Sequence, residues 1–169
     1  AGEKGHGSGR FLYSCSAAIK AAIPTASRHA RCKAGFAGLG MAIRLKQAGI
    51  HNIIILERGT QVGGTWRDNQ YPGAACDIPS NLYSYSFAPN PDWSRSYSGS
   101  AEILDYIHSM VRDFELHPLI QFEKNVAGIE FDELHGLWHA TTDKGERYSA
   151  RATVMASGPL SNCSLPKIP

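Results

Sequence analysis

Two glycines and one acid form the first candidate binding pattern in the sequence. Gly35 and Gly38 occupy the second and third glycine positions of a GxGxxG pattern, and Glu57 ends the apolar run HNIIILE. Such a turn lets the backbone approach a pyrophosphate, whose charge lies at the N-terminus of the following helix. The acid accepts hydrogen bonds from ribose hydroxyls. The pattern therefore predicts a dinucleotide site, although Lys33 stands where the first glycine belongs.

The segment VGGTWRDNQYPGAACD, residues 62–77, is the more specific pattern. It resembles the [AG]GxWxxxx[FY]P[GM]xxxD signature of type I Baeyer–Villiger monooxygenases. Every specified position is met, by Gly63, Gly64, Trp66, Tyr71, Pro72, Gly73 and Asp77. The similarity continues through residues 78–94 and resumes at 156–161 and 165–169, so it extends from about Ala34 to Pro169.

The resemblance implies an FAD-binding domain from an NADPH-dependent flavin monooxygenase. In that family NADPH reduces FAD, and a C4a-peroxyflavin formed with O2 inserts oxygen beside a ketone carbonyl or oxidises a heteroatom. The partners implied are O2 and a small ketone or heteroatom substrate. The NADP site and most of the substrate pocket are expected largely outside this chain, which we interpret as a fragment that is inactive alone.

The resemblance also assigns roles to individual residues. Trp66 is expected to pack near the flavin, and Asp77, as the catalytic residue, to lie beside the flavin and nicotinamide. The further cofactor contacts implied are Ala37 at the pyrophosphate turn, Gly64 and Thr65 in the two-glycine turn, Tyr83 near the flavin, Val126 near the adenine, and Ala156 and Gly158 at the closing strand turn. Without the signature, Trp66 and Tyr83 would be interpreted as core aromatics, and Asp77 as a turn cap.

The spacing of apolar residues along the chain predicts its helices and strands. Helices are predicted over Ala37–Ala48, with Gly49 as the stop signal, and from a capping Ser100 to about Phe114. Strands are predicted at His51–Glu57, Leu119–Phe122, Val126–Phe131, Leu137–Thr142, Arg147–Arg151 and Ala152–Ala156, the first and last of them buried. The fold class expected is α/β, a Rossmann-like doubly wound parallel sheet with an inserted antiparallel β-meander.

Residues 1–33 differ in character from everything after them. They hold 6 basic residues against Glu3 alone, which leaves 11 basic and 14 acidic residues, a net −3, in the remainder. The strand expected before the glycine turn is degraded, because SRHARC stands there and burying two arginines is costly. We interpret 1–33 as a non-native leader and 34–169 as a partial FAD-binding domain, while a mitochondrial transit peptide stays open as the alternative.

Composition narrows the class further. The 169 residues have 43% hydrophobic content and a formal net charge of +2, which predicts neither a nucleic-acid nor a membrane partner. The four cysteines show no metal-ligand spacing and predict a reducing, cytoplasmic compartment, with Cys76 a small buried residue. Three alternatives remain: a stand-alone flavin-binding module, a nicotinamide dehydrogenase, which has no use for the GGTW segment, and a non-functional truncated product.

Overall fold

The computed structural model describes residues 34–158. Its helices are α1 (Phe36–Gln47), α2 (Thr65–Asp68) and α3 (Ser100–Asp113), and single 3₁₀ turns span Ser80–Leu82 and His117–Leu119. Its strands are β1 (Ile55–Leu56), β2 (Ile120–Gln121), β3 (Val126–Asp132), β4 (Leu137–Thr142) and β5 (Arg147–Ala150). The predictions that fall on residues 1–33 and 159–169 lie outside the described residues.

The hydrophobic core lies where α1, β1 and α3 meet. Its fully buried side chains come from all three elements and from the turn after α3: Leu39, Ile43, Ile55, Ile103, Ile107 and Leu116. Lys46 ties the two long helices together by donating to the Phe114 carbonyl at 2.6 Å, where α3 ends. A lysine at a helix C-terminus satisfies carbonyls that have no partner within the helix.

The structure confirms both long helices that the periodicity of the sequence predicts. Past the end of α1, Gly49 adopts φ +80°, and its amide donates to the Lys46 carbonyl at 3.0 Å. The N-cap of α3 is Gly99, so the prediction that Ser100 caps this helix is wrong. The reason is that the Ser100 amide donates to the Ala74 carbonyl at 2.9 Å, where an antiparallel bridge joins Ala75 to Gly99.

The sheets confirm an α/β fold with an inserted meander. β1 and β2 pair in parallel, with Ile55 opposite Ile120, and β3, β4 and β5 form an antiparallel sheet in that order. The predicted strand His51–Glu57 is shorter than expected, because only Ile55 and Leu56 find a ladder partner in β2. Ile53, Ile55, Leu56 and Glu57 are nevertheless buried, as the apolar run indicated.

The prediction of a buried strand at Ala152–Ala156 is wrong for the described residues. The segment pairs with no strand among residues 34–158, and Met155 is 66% exposed. An extended segment becomes a strand only through ladder hydrogen bonds to a neighbour. In a doubly wound sheet this neighbour is the strand that precedes the glycine turn, and that position falls before residue 34.

Candidate cofactor site

A cleft of about 500 Å³ opens beside the first turn of α1. Ten of the twelve residues predicted to contact a cofactor line it: Gly35, Ala37, Glu57, Gly64, Thr65, Trp66, Asp77, Tyr83, Ala156 and Gly158. They come from the stretches 35–37, 57–66, 77–83 and 156–158, so the fold brings together residues that are far apart in the sequence. The cleft is therefore the candidate cofactor site.

Gly38 and Val126 do not line the cleft. Gly38 is buried inside α1, which agrees with the role of the third glycine in close packing of the helix against its sheet. Val126 is the first residue of β3. The predicted contact between Val126 and an adenine stays a prediction.

Two glycine turns meet at the base of the cleft. The Gly63 amide donates to the Ala34 carbonyl at 2.8 Å, which joins the two turns directly. A Cβ on Gly64, which has φ +53°, would stand 3.2 Å from the Gly35 Cα. Side chains at Gly35 and Gly64 would thus fill the space between the turns, and two glycines leave backbone facing the cleft.

The N-terminus of α1 presents backbone amides without a competing anion. Its N-cap, Gly35, has no side chain to cap the helix, and the first turn contains no acidic residue. The first bond of the helix runs from the Leu39 amide to the Gly35 carbonyl at 3.0 Å, so the amides before Leu39 have no partner within the helix. Phe36 and Ala37 both line the cleft, where these amides and the helix dipole favour a phosphate group.

Glu57 lies at the floor of the cleft and is only 1% exposed. Its carboxylate accepts hydrogen bonds from the Ala34 amide at 2.9 Å, the Gly59 amide at 2.8 Å and the Arg67 guanidinium at 3.0 Å. A buried carboxylate needs such donors because desolvation otherwise disfavours its charge. The acid expected from the spacing thus has three hydrogen-bond donors around it at the end of β1.

An ion-pair network on α2 was not predicted from the sequence. Arg67 donates to Asp68 at 2.7 Å, and Arg58 approaches Asp68 at 3.4 Å. The hydrogen bond from Arg67 lowers the pKa of Asp68, and the same bond, with a weaker contribution from Glu57, raises the pKa of Arg67. Arg67 and Asp68 stand at unspecified positions of the signature, and Arg58 lies before it, so only the charges of the segment that follows Glu57 could have indicated the network.

Aromatic side chains form another wall of the cleft. The Trp66 indole donates to the Tyr83 hydroxyl at 3.0 Å, and the two rings meet edge to face with centroids 5.2 Å apart. Phe36 contacts Tyr83 in the same manner, also at 5.2 Å. Burial raises the pKa of Tyr83, so its hydroxyl stays protonated at neutral pH. Flat apolar walls of this kind suit an aromatic ring system.

Asp77 lies at the rim of the cleft on a loop anchored from behind. The Cys76 amide donates to the Ser98 carbonyl at 3.0 Å, and the Ser80 amide donates to the Ser96 carbonyl at 2.7 Å. Cys76 is buried, as predicted. The Asp77 side chain is exposed, and it accepts no hydrogen bond from residues 34–158. The loop is fixed while the carboxylate stays available for a ligand.

Residues 34–158 contain neither a cluster of metal ligands nor a helix that could span a membrane. No group of three or more His, Cys, Asp or Glu side chains in this part of the chain could hold a metal ion. None of its helices combines the length and apolar character that crossing a membrane requires. Ser157 adds a further lining residue between Ala156 and Gly158.

The fold and the cleft have the arrangement of the dinucleotide-binding class of α/β domains, and comparison with known proteins identifies the family of the chain. The family model for pyridine nucleotide-disulphide oxidoreductases matches residues 34–169, so the chain belongs to this family.

Three proteins similar to this chain are two monooxygenases and a protein in complex with FAD and NADP. A Baeyer-Villiger monooxygenase of Streptomyces coelicolor is 47% identical over 135 residues, which are 80% of this chain and 26% of that protein. An oxidized steroid monooxygenase bound to NADP superposes with a TM-score of 0.78 at 38% identity, covering 84% of this chain and 28% of that one. OTEMO in complex with FAD and NADP has a TM-score of 0.78 at 31% identity, covering 85% and 28%. The chain thus spans about a quarter of the length of each.

Proposed function

We propose that this chain is the FAD-binding part of an NADPH-dependent flavin monooxygenase of the Baeyer–Villiger type. The observation that carries the proposal is the assembly around one cleft of ten residues predicted from the glycine motif and the family resemblance. Support comes from the relatives, which are described as Baeyer-Villiger and steroid monooxygenases, and from OTEMO, whose structure contains FAD and NADP. A cytoplasmic location stays a prediction.

The residues that line the cleft suit the pyrophosphate, the adenosine ribose and the flavin ring of FAD. The amides at the start of α1, at Phe36 and Ala37, would hold the pyrophosphate, and Glu57 would accept from the adenosine ribose. The cradle between Gly35 and Gly64, which a Cβ would fill, lets the backbone approach the cofactor. The wall formed by Trp66 and Tyr83 would lie against the flavin.

Bound FAD, once reduced by NADPH, would supply the activation of O2 for insertion of one oxygen beside a ketone carbonyl or for oxidation of a heteroatom. The residues of this chain would bind and orient the cofactor. Asp77, an exposed residue that lines the cleft, is the proposed catalytic residue and would lie beside the flavin and the nicotinamide. Because the chain spans about a quarter of its relatives, the NADP site and the substrate pocket are proposed for the rest of a full-length protein.

The test is a visible absorbance spectrum of the purified chain after incubation with FAD and desalting. We expect a retained flavin band with resolved vibronic structure, which signals an apolar environment for the ring, and we expect ADP to compete for the site. Absence of retained flavin would refute FAD binding by this chain. Preferential binding of NAD over FAD would favour a nicotinamide dehydrogenase instead.

A matched pair of variants separates the cleft from the rest of the fold. Gly64→Ala places a methyl group 3.2 Å from the Gly35 Cα and should lower FAD retention. Gly128→Ala, on β3, places its methyl group where no atom lies within 4 Å, and it should retain FAD as the unmodified chain does. Circular dichroism of both variants shows whether they are folded. Equal retention by folded Gly64→Ala would contradict the assignment of the cleft.

A further inference from the structure

Arg67 lies against the turn that follows β1. Its Nη1 donates to Glu57 Oε1 at 3.0 Å and also to the Gln61 carbonyl. A Cβ on Gly59 would stand 2.4 Å from the same Nη1, so the guanidinium packs directly on the Gly59 backbone. The Arg67 side chain is 14% exposed and that of Glu57 is 2% exposed. The pair is therefore a nearly buried part of the cleft floor.

The hydrogen bonds to Glu57 occupy most of the acceptor positions of its carboxylate. An ionised carboxylate has about four acceptor positions, two on each oxygen. Oε1 accepts from the Gly59 amide and from Arg67, while Oε2 accepts from the Ala34 amide. Within residues 34–158, one acceptor position on Oε2 remains.

We propose that Arg67 determines how Glu57 recognises a nucleotide: by occupying Oε1, it restricts Glu57 to a single ribose hydroxyl. This inference rests on the proposed function, because it concerns the adenosine end of the same site. A ribose offers two neighbouring hydroxyls, and a carboxylate with two open positions accepts from both. Here one hydroxyl finds the open position on Oε2, and the other faces an oxygen already occupied by the Gly59 amide and the guanidinium.

A different role for Arg67, as a phosphate clamp, makes a different prediction. A clamp would strengthen binding of every adenine nucleotide equally, whichever hydroxyls its ribose carries. Restriction of Glu57 changes only the discrimination between nucleotides that differ in one hydroxyl. The two roles are therefore separated by comparing ADP with its 2′-deoxy and 3′-deoxy analogues.

The experiment measures the Kd of these three nucleotides by calorimetry on the full 169-residue chain. For the unmodified chain we expect one deoxy analogue to bind about tenfold more weakly than ADP, as loss of a hydrogen bond to a charged group implies. The other analogue should bind within about twofold of ADP. This arm requires no variant and therefore does not depend on how any substitution folds.

The second arm uses substitutions at Arg67. Arg67→Met removes the donor from Oε1, so both deoxy analogues should bind about tenfold more weakly than ADP. Arg67→Lys keeps a cation that can reach Glu57 and should keep the pattern of the unmodified chain. Arg112→Met, on the exposed face of α3 where Arg112 pairs with Asp113, is the matched control and should change nothing.

The outcomes separate the inference from the proposed function. Failure of the unmodified chain to bind ADP and FAD refutes the proposed function, and the inference with it. Binding of ADP with equal losses for both deoxy analogues refutes the inference alone. A folded Arg67→Met chain that weakens all three nucleotides by the same factor also refutes it and identifies Arg67 as a phosphate clamp.

Discussion

Replacing Gly63 with alanine tests how closely Leu104 on α3 and Arg67 on α2 pack against the turn at Gly63. Gly63 has φ +120°, a conformation that residues with a side chain rarely adopt. Its new Cβ would stand 2.4 Å from Leu104 Cδ1 and 3.0 Å from the Arg67 Cβ. Leu104 can rotate away at its far end, whereas the Arg67 Cβ is fixed to α2, so the turn or α2 has to shift.

The magnitude follows from two contributions. The backbone conformation costs about 1–2 kcal/mol for a residue with a Cβ, and overpacking costs about 1–3 kcal/mol. Gly49→Ala isolates the first contribution, because Gly49 has φ +80° and no atom lies within 4 Å of its Cβ position. We expect Gly49→Ala to lower the free energy of unfolding by about 1–2 kcal/mol and Gly63→Ala to lower it by about 2–5 kcal/mol.

Urea unfolding, followed by far-ultraviolet circular dichroism, measures both variants on the same chain. The difference between them reports the steric contribution at the base of the cleft. If Gly63→Ala were no more destabilised than Gly49→Ala, Leu104 and Arg67 would not be in close contact with the turn at Gly63, and the packing of α2 and α3 on that turn would be wrong. A matching decrease in FAD retention for Gly63→Ala alone would link this contact to the cofactor site.

Three further predictions concern the support of the cleft and the meander. Gly40→Ala places a Cβ 2.7 Å from the Tyr85 ring and should lower the free energy of unfolding by about 1–3 kcal/mol. The loss caused by Gly40→Ala should be smaller when it is measured in a Tyr85→Leu background. The Ser80 hydroxyl accepts a hydrogen bond of 2.7 Å from the buried Ser98 amide. Ser80→Ala leaves this amide without a partner and should lower the free energy of unfolding by about 1–3 kcal/mol in the same urea assay. The hydrogen bond from His135 lowers the pKa of Asp132 to about 2. Because the folded value lies below the unfolded value near ~3.9, this stabilisation is present above that value and is lost as pH falls through about 2. An NMR titration should show this midpoint, and His135→Ala should raise it.

The helices and the cleft could be predicted from the sequence because their signals are local. Apolar residues three and four positions apart define the buried faces of α1 and α3, and the spacing from Gly35 to Glu57 places an acid beside a glycine turn. The pairing of strands, by contrast, depends on residues that are far apart in the sequence. The run Ala152–Ala156 has the composition of a buried strand, yet a strand also needs a neighbour with free ladder groups, and none of residues 34–158 supplies one.

The ion pairs of α2 could not be predicted for a related reason. Arg67 and Glu57 are ten positions apart, and the intervening turn determines whether they meet. The signature specifies Trp66 but leaves position 67 open, so it contains no information on what this side chain contacts. Only the packing of the guanidinium on Gly59, with 2.4 Å between Nη1 and a Cβ position there, shows that the pair is fixed.

Glu57 supports the turn that it would serve as a ligand. Ala34 is fully buried, its amide donates to Glu57 Oε2 at 2.9 Å, and its carbonyl accepts from the Gly63 amide at 2.8 Å. Both polar backbone atoms of Ala34 are thus satisfied by residues that follow it in the sequence. The entry into α1 is therefore positioned from the β1 side of the cleft, even though Lys33 replaces the first glycine of the motif. Glu57→Gln would place an amide donor among three existing donors, so it would move the N-terminal end of α1 in addition to weakening the proposed ribose contact.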